Sequence, residues 1–80
     1  MPTSAARFDA TAVDVSVSDD RLTVILADGR ELAAPLAWFP RLLEATEQQR
    51  LNWRLIGRGH GIHWPDVDED VSVASLLRSS

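Results

Sequence analysis

The chain has no cysteine and no tyrosine among its 80 residues, and every one of its eight basic residues is arginine. Without cysteine there is no disulfide, no thiolate nucleophile and no cysteine-ligated zinc or iron–sulfur site. Small secreted domains usually depend on such staples, so a reducing, cytoplasmic setting is expected. No apolar stretch approaches the roughly 20 residues of a membrane helix, so no membrane partner is expected. Met1 to Ala10 has neither an apolar run nor a basic start, and does not read as a signal peptide. An excess of positive charge is also missing. Twelve acidic residues outnumber eight arginines, giving a net charge of −4 and a pI near 4.9. Nucleic-acid binders usually carry the opposite balance, so nucleic acid is not expected as a direct partner. The lack of lysine fits arginine-favouring codon usage better than selection for bidentate contacts, because no arginine cluster dominates.

What is present is ordinary for a globular protein: 45% apolar and 25% charged residues. At this length one modest core is all the chain can build. Residues 1–10 are polar and small and read as a flexible lead-in. Residues 11–80 read as a single α+β domain. Val13, Val15 and Val17 alternate with Asp14, Ser16 and Ser18, the pattern of a strand with one wet face. Asp19-Asp20 reads as a turn. Leu22 to Leu26 is a second strand, apolar on both faces. Asp28-Gly29 is a hairpin signal, because glycine accepts positive φ. Arg30 to Ala34 is a third strand, which Pro35 ends or confines to an edge.

From Leu36 the period becomes helical, with Pro40 expected in a first turn where its missing N–H is harmless. Thr46 and Gln49 have the spacing of a capping box, for a short helix ending near Leu51. Trp53 to Gly57 and Ile62 to Trp64 read as short strands around a glycine-rich turn. Asp66, Asp68, Glu69 and Asp70 read as an acidic turn, and Ser72 as the cap of a last helix, Val73 to Arg78. The expected architecture is α+β: a small antiparallel sheet in β-β-β-α-β-β-α order, with the helices packed on one face.

Four groups of residues invite a chemical reading. His60, His63 and the acids 66–70 hold metal-ligand types. Strand geometry, however, turns His63 away from Ile62 and Trp64 and leaves His60 in a loop, so convergence is not enforced. The Gly57-x-Gly-x-Gly61 series lacks the spacing of a nucleotide loop, and no helix N-terminus follows it. Arg50, Arg54 and Arg58 are four apart, but the glycines forbid one helix from aligning them. Trp38, Phe39, Trp53 and Trp64 are heavy for so short a chain and serve either as core or as an apolar contact face. Ser72 or Ser75 with His63 and Asp66 spells a triad without a nucleophile elbow, which carries no weight. No catalytic residue, metal ligand or cofactor is therefore assigned, and the chain is not expected to be an enzyme.

Three stretches carry a family resemblance: Leu36-Ala-Trp-Phe-Pro-Arg-Leu42, Thr46-Glu-Gln-Gln-Arg-Leu-Asn-Trp53 and Gly61-Ile-His-Trp-Pro-Asp-Val-Asp-Glu-Asp-Val-Ser72. With the Asp28-Gly29-Arg30 turn they resemble the short bacterial domain of unknown function 2442 over nearly the whole chain after residue 10. The resemblance implies an α+β fold, similar to the N-terminal domain of longer helix-turn-helix proteins. It also implies a setting that resembles toxin–antitoxin pairs, and it emphasises Trp38, Pro40, Arg41, Trp53, Trp64, Pro65, Asp68, Glu69 and Asp70. Function follows from it only by association.

The expectation is a non-catalytic protein-interaction or regulatory module, antitoxin-like in character. Its partner is another small protein or a second copy of itself in a homodimer. The expected interface holds Trp38, Arg41, Trp53, Arg54, Trp64, Asp68, Glu69 and Asp70. Two alternatives stand beside it: a small metal-binding protein or hydrolase using His63 and the acidic turn, and a nucleic-acid-binding accessory domain using Arg54 and Arg58.

Overall fold

A computed structural model of the chain describes residues 8–79. The α+β class and the expected element order hold with one strand added before the last helix, and the strands divide into two three-stranded antiparallel sheets. Sheet A contains β1 (Ala12–Val17), β2 (Arg21–Leu26) and β3 (Glu31–Pro35) in sequence order. A 3-10 turn, Leu36–Trp38, leads to α1 (Pro40–Leu43) and then α2 (Glu47–Leu51). Sheet B contains β4 (Arg54–Ile56), β5 (Gly61–Trp64) and β6 (Glu69–Ser72), and α3 (Val73–Ser79) closes the chain. No helix among the described residues is long and apolar enough to cross a membrane.

Sheet A follows its sequence signals closely, with one correction. Val13 was expected on the core face with Val15 and Val17. Instead the β1–β2 register slips between Ala12 and Asp14, so Val13 is an extra, bulged residue and is exposed. A bulge reverses the in–out alternation on one side of it, and Ala12 takes the buried place. In β2, Leu22, Val24 and Leu26 are buried, while Thr23 and Ile25 are only half covered. Gly29 has φ 93° at the β2–β3 turn, as the Asp-Gly signal requires. Asp28 accepts bonds from the Arg30 backbone N–H (3.0 Å) and guanidinium. It also accepts from the Asp9 N–H at 2.9 Å, and the Arg30 guanidinium lies 5.3 Å from the Phe8 ring centre. Phe8 to Ala10, assigned from sequence to the lead-in, are thus held against this turn; the lead-in's residues 1–7 lie outside the described residues. The Arg30 bond holds the Asp28 carboxyl below its usual pKa, and the Thr11 side chain does the same for Asp9.

The helical segment is cut in two at Phe39, whose φ/ψ of −126°/80° is non-helical. Steric conflict with the ring of Pro40 disfavours helical backbone at the preceding residue. Pro40 itself opens α1, where no N–H is needed. Thr46 and Gln49 form the reciprocal capping box: the Gln49 N–H donates to Thr46 Oγ1 at 3.1 Å and the Thr46 N–H to Gln49 Oε1 at 2.9 Å.

One core joins the two sheets. Leu22, Val24 and Leu26 of sheet A, Leu36 and Leu42, Ile62 and Trp64 of sheet B, and Val73 of α3 are at most 2% exposed and belong to one cluster. The Trp64 indole N–H donates to the Arg50 carbonyl at 3.0 Å, which satisfies its one polar atom. Gly59 is buried against β1: a Cβ there would sit 2.9 Å from the Ala12 carbonyl oxygen. Its φ of 88° independently requires glycine. The Val73 N–H donates to the His60 carbonyl and ties α3 to the same region.

Candidate functional site

β6 was not expected as a strand. Only Asp66 and Asp68 occupy a turn; Glu69 and Asp70 lie in β6, paired with Trp64 and His63 of β5. The reason is the alternation that follows, with Val71 buried between exposed Asp70 and Ser72. The turn is tight enough to place Asp68 at φ 52°, a left-handed conformation that aspartate tolerates better than most residues. The Arg41 guanidinium donates to the Asp68 carbonyl, bracing this strained residue from α1. Asp66 accepts from the Asn52 amide at 3.0 Å. The Glu69 carboxylate accepts from the Asp70 N–H at 3.1 Å.

Register then decides which side chains meet. Arg54, His63 and Asp70 are successive partners across β4, β5 and β6, and so form one polar row on one face. His63 Nδ1 donates to the Asp70 carboxylate, a contact of direct cross-strand neighbours. Leu55, Ile62 and Val71 form the adjacent row on the opposite side, where Ile62 and Val71 are buried and Leu55, on the edge strand, is exposed. The Arg54 side chain makes no ion pair or hydrogen bond among the described residues.

Beside this row lies an open groove of about 270 Å³. Trp38 and Phe39 line it together with Asp70, Ser72, Ser75 and Leu76. Trp38 is 53% exposed although it is the bulkiest side-chain type. It comes from the 3-10 turn before α1. Ser72 caps α3: the Ser75 N–H donates to Ser72 Oγ at 3.1 Å and the Ser72 hydroxyl to Ser75 Oγ at 2.7 Å. The groove is therefore lined by aromatic, acidic and hydroxyl-bearing residues.

The residues expected at the interface separate accordingly. Trp38 and Asp70 line the groove; Arg41, Asp68 and Glu69 brace the turn beside it; Arg54 continues the polar row. Trp64 is fully buried and Trp53 half-buried against the core, so Trp64 is a core residue and makes no surface contact. An aromatic count cannot tell which tryptophan is covered, but period two can, because Ile62 and Trp64 share a face. Ser75 and Leu76, which were not expected at the interface, join the groove because α3 begins where β6 ends. His60 lies apart, near Phe8, Asp9 and Thr11. Among the described residues no three histidine or acidic side chains converge to hold a metal ion.

Comparison with known proteins agrees with this architecture. The family described as "Protein of unknown function (DUF2442)" matches residues 12–80, and the chain belongs to it. A crystal structure of a protein of unknown function from Rhodospirillum rubrum is similar at a TM-score of 0.72 and 28% identity, covering 86% of each chain. No curated protein matches the chain.

Proposed function

We propose that this member of the family is a protein-interaction module that holds a basic side chain of a partner protein in the Trp38–Asp70 groove. The observation that carries this reading is that an exposed tryptophan and an aspartate line one open groove. A guanidinium seated there would stack on the indole face and meet the Asp70 carboxylate, with Ser72 and Ser75 as hydroxyl partners. The chain's charge of −4 and the acidic turn at Asp66–Asp68 attract the same kind of partner over longer range. A partner with an exposed basic surface would be masked by this contact, which is the regulatory, antitoxin-like role.

The test is a titration of the protein with an arginine-rich peptide and with an acidic peptide of equal length, read by tryptophan fluorescence. Binding of the basic peptide alone is expected, weakened about tenfold or more by Trp38→Ala. It should also weaken with Asp70→Asn and with added salt. No binding at low salt, or binding indifferent to Trp38→Ala, would overturn the reading. Co-expression with the product of the adjacent gene extends the test to a natural partner.

A further inference from the structure

Exposure changes along the row of Arg54, His63 and Asp70. β5 is the middle strand of sheet B, so His63 has a cross-strand neighbour on each side, and its side chain is 19% exposed. Asp70 stands on the outer strand β6, where its side chain is 67% exposed and lines the groove with Trp38. The bond between His63 Nδ1 and the Asp70 carboxylate therefore joins a largely covered imidazole to the acidic residue of the groove. That bond does not depend on the charge of the ring. A neutral imidazole with its proton on Nδ1 donates to a carboxylate, and so does an imidazolium. Protonation changes the charge beside Asp70, and histidine is the side-chain type that ordinarily gains or loses a charge between about pH 5 and 8.

We propose, on the reading of the groove as a site for a basic side chain, that His63 is a proton-operated switch that admits the basic partner as the ring loses its charge. With a neutral ring, His63 holds the carboxylate in place and Asp70 offers its full negative charge. With an imidazolium, the His63–Asp70 pair is neutral. A partner's guanidinium then competes with the ring for one carboxylate, and approaches a second cation roughly 5 Å away, on the next strand. The groove thus binds more weakly below the range in which the ring titrates and more tightly above it.

The charges around the ring leave it as the variable member of the row. Arg54 pairs with His63 from β4 and Asp70 from β6. Arg58 belongs to the 3-10 turn that precedes β5 and contacts it. Asp66 and Asp68 belong to the turn that follows β5. Glu69 pairs with Trp64, so alternation places it on the other face of the sheet. Arginine, aspartate and glutamate ordinarily keep their charge between about pH 5.5 and 7.5. The other histidine, His60, lies apart from the groove, near Phe8, Asp9 and Thr11.

Titration of an acetylated arginine-rich peptide into the protein at about pH 5.5 and about pH 7.5, in one low-salt buffer, tests the switch by tryptophan fluorescence. Affinity should rise about threefold to tenfold from the lower to the higher pH, as removal of a neighbouring like charge near a protein surface requires. His63→Gln keeps a donor without a charge, and should bind equally well at both. His63→Lys is charged at both, and should bind equally weakly. His60→Gln should keep the wild-type response. Near-UV circular dichroism shows whether each variant is folded. Binding of equal strength at both pH values in the wild type would overturn the switch and leave the groove standing, whereas no binding at either pH would remove both. A pH response that survives in folded His63→Gln would also overturn it. A further measurement needs no variant. Coupling is reciprocal, so saturating peptide should make the His63 ring give up its proton at lower pH, as read from its ring-nitrogen chemical shifts. A ring titration unmoved by bound peptide would overturn the switch.

Discussion

Sheet A and sheet B have three strands each and the same antiparallel order, yet they are built to different standards. Sheet A has five- and six-residue strands, a two-residue break at Asp19-Asp20 and a glycine where φ is positive. Sheet B has strands of three or four residues. Both of its connections contain a non-glycine residue in the left-handed region: Arg58 at φ 58° and Asp68 at φ 52°. Strain of this kind persists only where surrounding contacts impose it. Here Gly59 against Ala12 fixes the first connection, and the Arg41 bond braces the second. The difference is that sheet A is built from relaxed local signals, while the strained connections of sheet B are braced from outside it.

The largest blow to this division falls where the sheets meet. Trp64→Ala should cost about 3–5 kcal/mol, since it empties the shared core and frees the Arg50 carbonyl, and both sheets should melt together. Loss of sheet B alone in denaturant titrations would show that the sheets are separate units. Next is Gly59→Ala, expected to cost about 2–4 kcal/mol from the clash with Ala12 and the unfavourable φ. A neutral result would mean that the first connection is not wedged against β1.

Substitutions at the turns sharpen the contrast. Gly29→Ala in sheet A should destabilise by about 1 kcal/mol, whereas Arg58→Gly in sheet B should stabilise by about 0.5–1 kcal/mol by relieving strain. Equal signs would remove the distinction between relaxed and strained connections. Acid offers a subtler probe. Asp28 and Asp9 have lowered pKa values in the folded chain, so their contribution is present above the ordinary carboxylate range, near pH 4. It is lost as pH falls through the depressed values. Asp28→Asn should flatten that decline in thermal melts, and an unchanged slope would deny the Phe8–Asp9 clasp its role. Smallest of all, Trp38→Ala should change stability by no more than about 0.5 kcal/mol, because an exposed side chain adds little to the core.

Local signals in the sequence reached far in sheet A and the helices. Thr46 and Gln49, Pro40, Asp28-Gly29 and the capping Ser72 each announce their structure through chemistry confined to a few residues. The Val13 bulge was not legible, because Ala12 and Val13 are both apolar and either can be the buried one. β6 was hidden by its charges: Glu69 and Asp70 look like loop residues until pairing with Trp64 and His63 gives them a place. The division into two sheets depends on which strands fail to pair, and periodicity does not contain that information. For the same reason the site was half visible. Trp38 and Asp70 stand 32 positions apart, and only the fold brings them to one groove.

The proposed binding groove is formed by Trp38 and the β6–α3 junction, away from β1 and β2. Backbone amide and indole chemical shifts, followed while the arginine-rich peptide is added, test this most directly. Shifts should concentrate at the Trp38 indole and at Asp70, Ser72 and Ser75, with β1 and β2 unmoved. Perturbations centred on β1 and β2, or absent from Trp38, would contradict it.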